Sequence, residues 1–184
     1  MDPHALERLI AARRSNLFID ADAPVDPTVC DLLATAAQYA PNHKRTWPLR
    51  ICFVTGDSRR ALGETIADEM AARGDEAPKV GKTRTKYLRS PLVVVVAAAE
   101  GSSVTETEEN RYSVAAGVQN ILLTCESLGL AALWGSPAKG ANDAITTFCG
   151  FEATDHVMGI LYVGHPERVA APVERPEPRV TRRD

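Results

Sequence analysis

Arg13, Arg14 and Ser15 stand side by side at the end of an amphipathic first helix, and Tyr39-Ala40-Pro41-Asn42-His43-Lys44 closes a second one. Two basic clusters near helix ends, in a chain of net charge −3, have the chemistry to hold an anion. A guanidinium presents paired donors in a planar fork that suits a phosphate or a carboxylate. Taken singly each cluster has a plainer reading. An Arg-Arg pair at a helix end is commonly a solvated terminus, and a lone histidine is commonly a satisfied surface residue.

Little else in the chain competes for a chemical role. Cys30, Cys52, Cys125 and Cys149 form no CxxC or Cys/His ligand pattern and read as buried free thiols in a reducing compartment. Asp143 and Asp155 read as cap or turn residues. Lys82 to Arg89 is strongly basic and is better read as a solvated face than as a site for nucleotide phosphates. A glycine-rich turn after a first strand is missing, as is a P-loop. The slightly negative charge argues against a general nucleic-acid or membrane-surface binder.

The elements that must position these residues follow from periodicity and punctuation. At 184 residues the chain fits one domain, 1–184, or one protomer of an oligomer. Asp2-Pro3 and Asp26-Pro27 read as helix starts, a capping carboxylate followed by proline at the first helical position. Ala5, Leu6, Leu9 and Ile10 form an apolar stripe on the first helix. Val29, Leu32, Leu33, Ala36 and Ala37 form the buried face of the second, which Pro41 ends. Strands are expected at Arg50–Thr55, Leu92–Ala97, Leu130–Trp134 and Val157–Val163, the second apolar at consecutive positions and so covered on both faces. Helices are expected at Ser58–Arg73, Glu109–Leu128 and Asn142–Phe148. Gly74 to Gly81 should break the pattern and Gly101 to Thr107 should be a surface loop. Ala115, Ala116 and Gly117 are small enough to let another backbone approach the longest helix.

The chain opens on a charged amphipathic helix without a signal-peptide pattern. Its longest apolar run, Leu92 to Ala99, is too short to span a bilayer. The expected location is cytoplasmic. Residues 167–184, rich in proline and arginine, form no core of their own and are expected to lie extended.

An ordered set of motifs resembles the nitroreductase family of FMN-dependent oxidoreductases, in its short, minimal members. The set runs from Arg13-Arg14-Ser15 and Ala40-Pro41-Asn42-His43-Lys44 through Arg89-Ser90-Pro91, Ala116-Gly117 and Gly129-Leu130-Ala131-Ala132-Leu133-Trp134-Gly135-Ser136. It ends at Val157-Met158-Gly159 and Gly164-His165-Pro166. The resemblance implies an α+β, three-layer α/β/α fold with a mixed, mostly antiparallel sheet and an intertwined homodimer holding two FMN sites. It implies that Arg13, Arg14 and Ser15 hold the phosphate, ribityl chain and pyrimidine edge. Trp134, Gly135 and Ser136 would close around the flavin and its phosphate, Tyr39 and His43 would come from the other subunit, and the tail near Arg175–Val180 would pack on the partner and add a phosphate contact. Trp134 is equally at home in a core or as a cofactor wall.

The implied activity is NAD(P)H oxidation with ping-pong transfer of electrons to a nitroaromatic, a quinone or a similar acceptor, with NADH or NADPH as co-substrate. The flavin carries the chemistry, so neither a catalytic side chain nor a metal is expected. Two positions depart from the family pattern. Trp47-Pro48-Leu49 stands where relatives often carry Gln-Pro-Trp, and Gly135 stands where close relatives carry a basic residue. Three alternatives stay open: an FMN storage protein, another flavin reductase or dehalogenase on the same scaffold, and a structural dimer without flavin.

Overall fold

The computed structural model describes residues 2–184. Ten elements follow one another: α1 (Ala5–Ala12), α2 (Thr28–Gln38), β1 (Leu49–Thr55), α3 (Ser58–Ala72), α4 (Ala77–Thr85), β2 (Leu92–Ala98), α5 (Val104–Ser127), β3 (Ala131–Gly135), α6 (Asn142–Cys149) and β4 (His156–Gly164). The strands form one sheet in the order β1-β2-β4-β3, every neighbouring pair antiparallel. A single parallel bridge, Ser15 to Ala132, extends the sheet beyond β3.

Every residue of β2 is buried, as its unbroken apolar run requires. Because side chains alternate across a strand, Val93, Val95 and Ala97 enter one core with residues of α3, α4 and α6. Leu92, Val94, Val96 and Ala98 enter a second core with α2 and α5. The result is the three-layer α/β/α arrangement expected from the sequence. Gly117 explains how closely two layers meet: a Cβ there would lie 2.9 Å from the carbonyl oxygen of Ala37, so any larger residue would push α5 off α2.

Several local expectations are corrected. Residues 101–107 are not a loop throughout, because α5 begins at Val104. Ser103 Oγ accepts from the Glu106 amide at 3.2 Å and the Glu106 carboxylate accepts from the Ser102 amide at 2.6 Å. This Ser-x-x-Glu capping arrangement is readable from sequence. Within 74–81, α4 starts at Ala77 with Pro78 in its first turn and runs through Gly81. Neither Asp2 nor Asp26 is the capping residue itself. The helices start at Ala5 and Thr28, and the two carboxylates instead accept the amides of His4 and Thr28, each two residues on. Of the cysteines only Cys125 is fully buried, the other three being half-buried.

The faces of the first two helices also differ from expectation. Leu32 is exposed on α2, and α1 buries none of its residues, leaving Leu6 60% and Ile10 42% exposed. An amphipathic helix stabilises a fold by covering its apolar stripe, and α1 leaves that stripe open in one chain.

Candidate functional site

The residues singled out by sequence fall on the two opposite edges of the sheet. After α1 the chain runs alongside β3. Ser15 bridges Ala132, the Asn16 amide donates to Ala132 O at 3.0 Å, and the Asp20 amide donates to His165 O at 2.9 Å. Arg13, Arg14 and Ser15 therefore lie at the start of β3, while Trp134, Gly135 and Ser136 lie at its end. Tyr39 and His43 lie beside β1, at the far edge. Three strand spacings of about 4.8 Å separate the edges by ~14 Å of sheet, so one protomer does not bring the two groups together.

At the β3 edge, Arg13 is half-buried and joins no ion pair among the described residues. Arg14 folds back on its own helix. Its Nη1 donates to the carbonyls of Ala11, Ala12 (3.2 Å) and Arg13 (3.0 Å), meeting carbonyls that the helix end leaves open. Its Nε is buried without a partner. Ser15 is exposed. A pocket of about 210 Å³ beside these residues is lined by Arg14, Asn16, Glu126, Leu130 and Val169.

At the other end of β3, the Trp134 indole lies against Gly159, in the space that a side chain at 159 would fill. Its Nε1 donates to Met158 O at 3.3 Å. Trp134 is thus a surface residue seated on β4, 38% exposed, rather than part of the core. A Cβ at Gly135 would lie 3.5 Å from both Ile160 O and the Tyr162 ring, an ordinary contact, so a side chain would fit there. The same Tyr162 ring carries the Arg89 guanidinium at 5.1 Å.

The β1 edge is built differently. Tyr39 caps α2 and is almost wholly exposed. His43 Nδ1 meets Glu109 Oε2 of α5 at 2.8 Å. The loop after it holds Lys44, Arg45 and Trp47 at positive φ, a region that side-chain-bearing residues rarely adopt. A chain of polar side chains fastens it. Asn42 Nδ2 donates to Thr46 Oγ1 at 3.0 Å, Thr46 Oγ1 donates to Asn110 Oδ1 at 2.6 Å, and Asn110 Nδ2 donates to Ala99 O at 3.0 Å. The Trp47 amide donates to Asn42 Oδ1 at 2.9 Å. A groove of about 570 Å³ lined by Thr35, Gln38, Tyr39, Trp47, Leu49 and Ile51 opens beside it.

Sequence reasoning missed Asn110 and Asn16, both buried and both tying a site loop to a strand or to the tail. Asn16 Nδ2 donates to Arg168 O at 2.9 Å and Asn16 Oδ1 accepts the Phe18 amide at 2.9 Å. A polar residue at an apolar-facing helical position, as Asn110 is on α5, was the available signal.

The Nitroreductase family profile matches residues 10–165 of the chain. The chain belongs to the nitroreductase family. Membership makes it an oxidoreductase by class, as its motifs led one to expect. The Escherichia coli (strain K12) protein YdjA, a proposed NAD(P)H nitroreductase, is 26% identical over 176 residues, 95% of each chain. A nitroreductase-like protein from Bacillus cereus is 25% identical, with a TM-score of 0.78 covering 94% of this chain and 91% of that one. A Bacteroides fragilis nitroreductase solved with bound FMN superposes with a TM-score of 0.77 at 20% identity, covering 98% and 99% of the two chains. These likenesses bear out the α+β fold. Among the described residues no helix is long and apolar enough to cross a membrane, and no group of three or more acidic, histidine or cysteine side chains is placed to hold a metal.

Proposed function

We propose that the chain is an FMN-dependent NAD(P)H oxidoreductase acting as a homodimer, with each site built from the β3 edge of one protomer and the β1 edge of its partner. The observation that carries this reading is the pair of incompletely satisfied guanidinium groups at one end of β3 with Trp134–Ser136 at the other. The two ends lie ~13 Å apart along an extended strand, which suits a ligand with a phosphate at one end and a flat ring at the other. The donor set fits such a group. Arg13 is free for charge-assisted hydrogen bonds, Arg14 Nε is buried and unpartnered, and Ser15 adds an exposed hydroxyl.

When bound, FMN supplies the two-electron chemistry that links a nicotinamide to an acceptor. The protein's part is to hold and shield. Arg13 and Arg14 anchor the phosphate and ribityl chain, and Ser15 adds a hydrogen bond. Trp134, pinned against Gly159, stands as a wall with Gly135 and Ser136 beside it. Tyr39 and His43 of a second protomer would close the site, His43 held in place by Glu109. The open apolar stripe of α1, with Leu32 of α2, supports a second copy as the cover. Flat, electron-poor acceptors such as nitroaromatics and quinones fit an open site of this kind, in a ping-pong cycle. A cytoplasmic location accords with this chemistry.

The test is the visible spectrum of the purified protein before and after anaerobic addition of NADH or NADPH. Flavin absorbance that bleaches is the expected result. A protein that stays colourless with excess FMN ends this reading, and flavin that is bound but never bleached makes the chain a flavin-holding protein without turnover.

A further inference from the structure

Nothing in the backbone asks for glycine at position 159. Its φ lies outside the left-handed region, and it pairs with Val96 inside β4, a strand flanked by β2 and β3. A glycine inside a strand costs conformational entropy and packs no side chain, and it commonly marks a place where another group comes close. Here that group is an indole. A Cβ at 159 would overlap Nε1 and Cδ1 of Trp134 and lie 3.1 Å from Cε2.

The residue before it completes the seat. β2 and β4 pair Val96 with Gly159 but Ala97 with Val157, so Met158 is an extra residue on β4. It also lies beyond the last pair that β3 makes with β4, Gly135 with Ile160. A bulge leaves its own residue outside the ladder and re-aims the groups around it. The Met158 carbonyl accepts the indole Nε1–H at 3.3 Å. Trp134 is therefore held three ways: its backbone pairs with Leu161, its Nε1 is fixed by Met158, and one edge of its ring fills the space above Gly159. Gly135 differs. A Cβ there meets nothing closer than 3.5 Å, so of the two glycines beside the indole only Gly159 is required by it.

We propose that Gly159, with the bulge at Met158, is a positioning residue that fixes the Trp134 indole as the wall for the flavin ring. This inference rests on the flavin reading and identifies what holds that wall. A ring already held in place presents its face without losing rotamer freedom when a ligand arrives, and this is the ordering cost that preorganisation removes. Any side chain at 159 lifts the indole off the Met158 carbonyl, and the wall is lost.

The chain has two tryptophans, so a Trp47→Phe background leaves Trp134 as the only indole reporter. In flavin-free protein, Gly159→Ala should move the Trp134 emission to the red and raise its quenching by acrylamide, whereas Gly135→Ala should change neither. With FMN titrated in and followed by flavin fluorescence, Gly159→Ala should weaken binding roughly tenfold, as the loss of one aromatic contact does. Trp134→Ala should weaken it by a similar factor. Adding Gly159→Ala to Trp134→Ala should then change nothing more, a result that a purely structural glycine does not produce. Wild-type protein that takes up no FMN ends the flavin reading and this inference with it. Wild-type protein that binds FMN, with Gly159→Ala binding it equally well or losing affinity in full even without Trp134, overturns this inference alone. Wild-type affinity in Trp134→Ala does the same, whether or not Gly159→Ala folds.

Discussion

At the β3 edge the candidate arginines keep donors to spare, while at the β1 edge His43 and its loop are bound by the protein's own groups. Arg13 stands free of ion pairs among the described residues and Arg14 keeps a buried Nε unpartnered. His43, by contrast, is held by Glu109, and its loop by Asn42, Thr46 and Asn110. The difference separates two tasks. A surface that receives an anion has to keep its hydrogen-bonding capacity open. A surface that only completes a site can be built rigidly in advance, which lowers the ordering cost when a partner docks. The rigidity is needed here, since three non-glycine residues at positive φ each cost on the order of 1–2 kcal/mol. A net contribution of about 1 kcal/mol from each hydrogen bond of the Asn42–Asn110 network helps to offset that strain.

The comparison can be broken most directly at Arg13. Arg13→Ala should weaken FMN binding by roughly 30- to 100-fold, corresponding to the loss of about 2–3 kcal/mol from a charge-assisted contact. Circular dichroism should be unchanged, because the residue supports no other part of the fold. Equilibrium dialysis showing equal affinity for the variant and the wild type would remove the β3 edge from the site.

A complementation experiment sharpens the claim that the edges meet across two protomers. Arg13→Ala and His43→Ala chains, each expected to be flavin-poor alone, are co-expressed. Mixed dimers then contain one site with both residues intact, so about a quarter of all sites should regain flavin. Recovery of none would mean that the two residues do not serve one shared site.

Asn110→Ala probes the rigid edge by itself. Removing a buried amide that serves both Thr46 and Ala99 should cost about 1–3 kcal/mol of stability, read from the urea midpoint. Its effect on FMN affinity should be smaller than that of Arg13→Ala. A larger effect on flavin than on stability would assign Asn110 to the ligand instead of the loop.

The smallest expected change is in assembly. We infer that residues 167–184 pack on the partner, and truncation before Ala171 should weaken dimerisation by roughly tenfold, about 1.4 kcal/mol. Sedimentation velocity across a dilution series measures this, and an unchanged dimer would return the tail to solvent. Within one chain the tail's first residues already pack on the β3 edge, with Arg168 stacked 3.4 Å from the Phe18 ring.

Much of this organisation could be read before any fold was known. The burial of β2, the helix stops at Pro41 and Gly129, and the close approach at Gly117 follow from residue type and periodicity. The start of α5 was also readable, because Ser103 and Glu106 carry the capping pattern, yet the polar composition of residues 101–107 suggested a loop instead. Gly81 looked like a breaker, but in α4 the packing of Val80 and Thr83 against the core outweighs the roughly 1 kcal/mol that one helical glycine costs. The exposed stripe on α1 could not be anticipated, because an apolar periodicity does not say whether its cover lies in the same chain.

By itself the sequence determined the four strands, most of the helices, the doubly covered central strand, the family, and the basic cluster after the first helix. Each of these depends on interactions within a few residues or on motifs preserved in order. Only the tertiary structure decided which distant side chains touch: His43 with Glu109, Thr46 with Asn110, and the indole of Trp134 with Gly159. Only it showed that the two halves of the candidate site face outward from opposite edges of one sheet. The physical reason is that periodicity assigns a side chain to a face, whereas strand order and helix packing, set by the cooperative burial of the whole core, select its neighbour on that face.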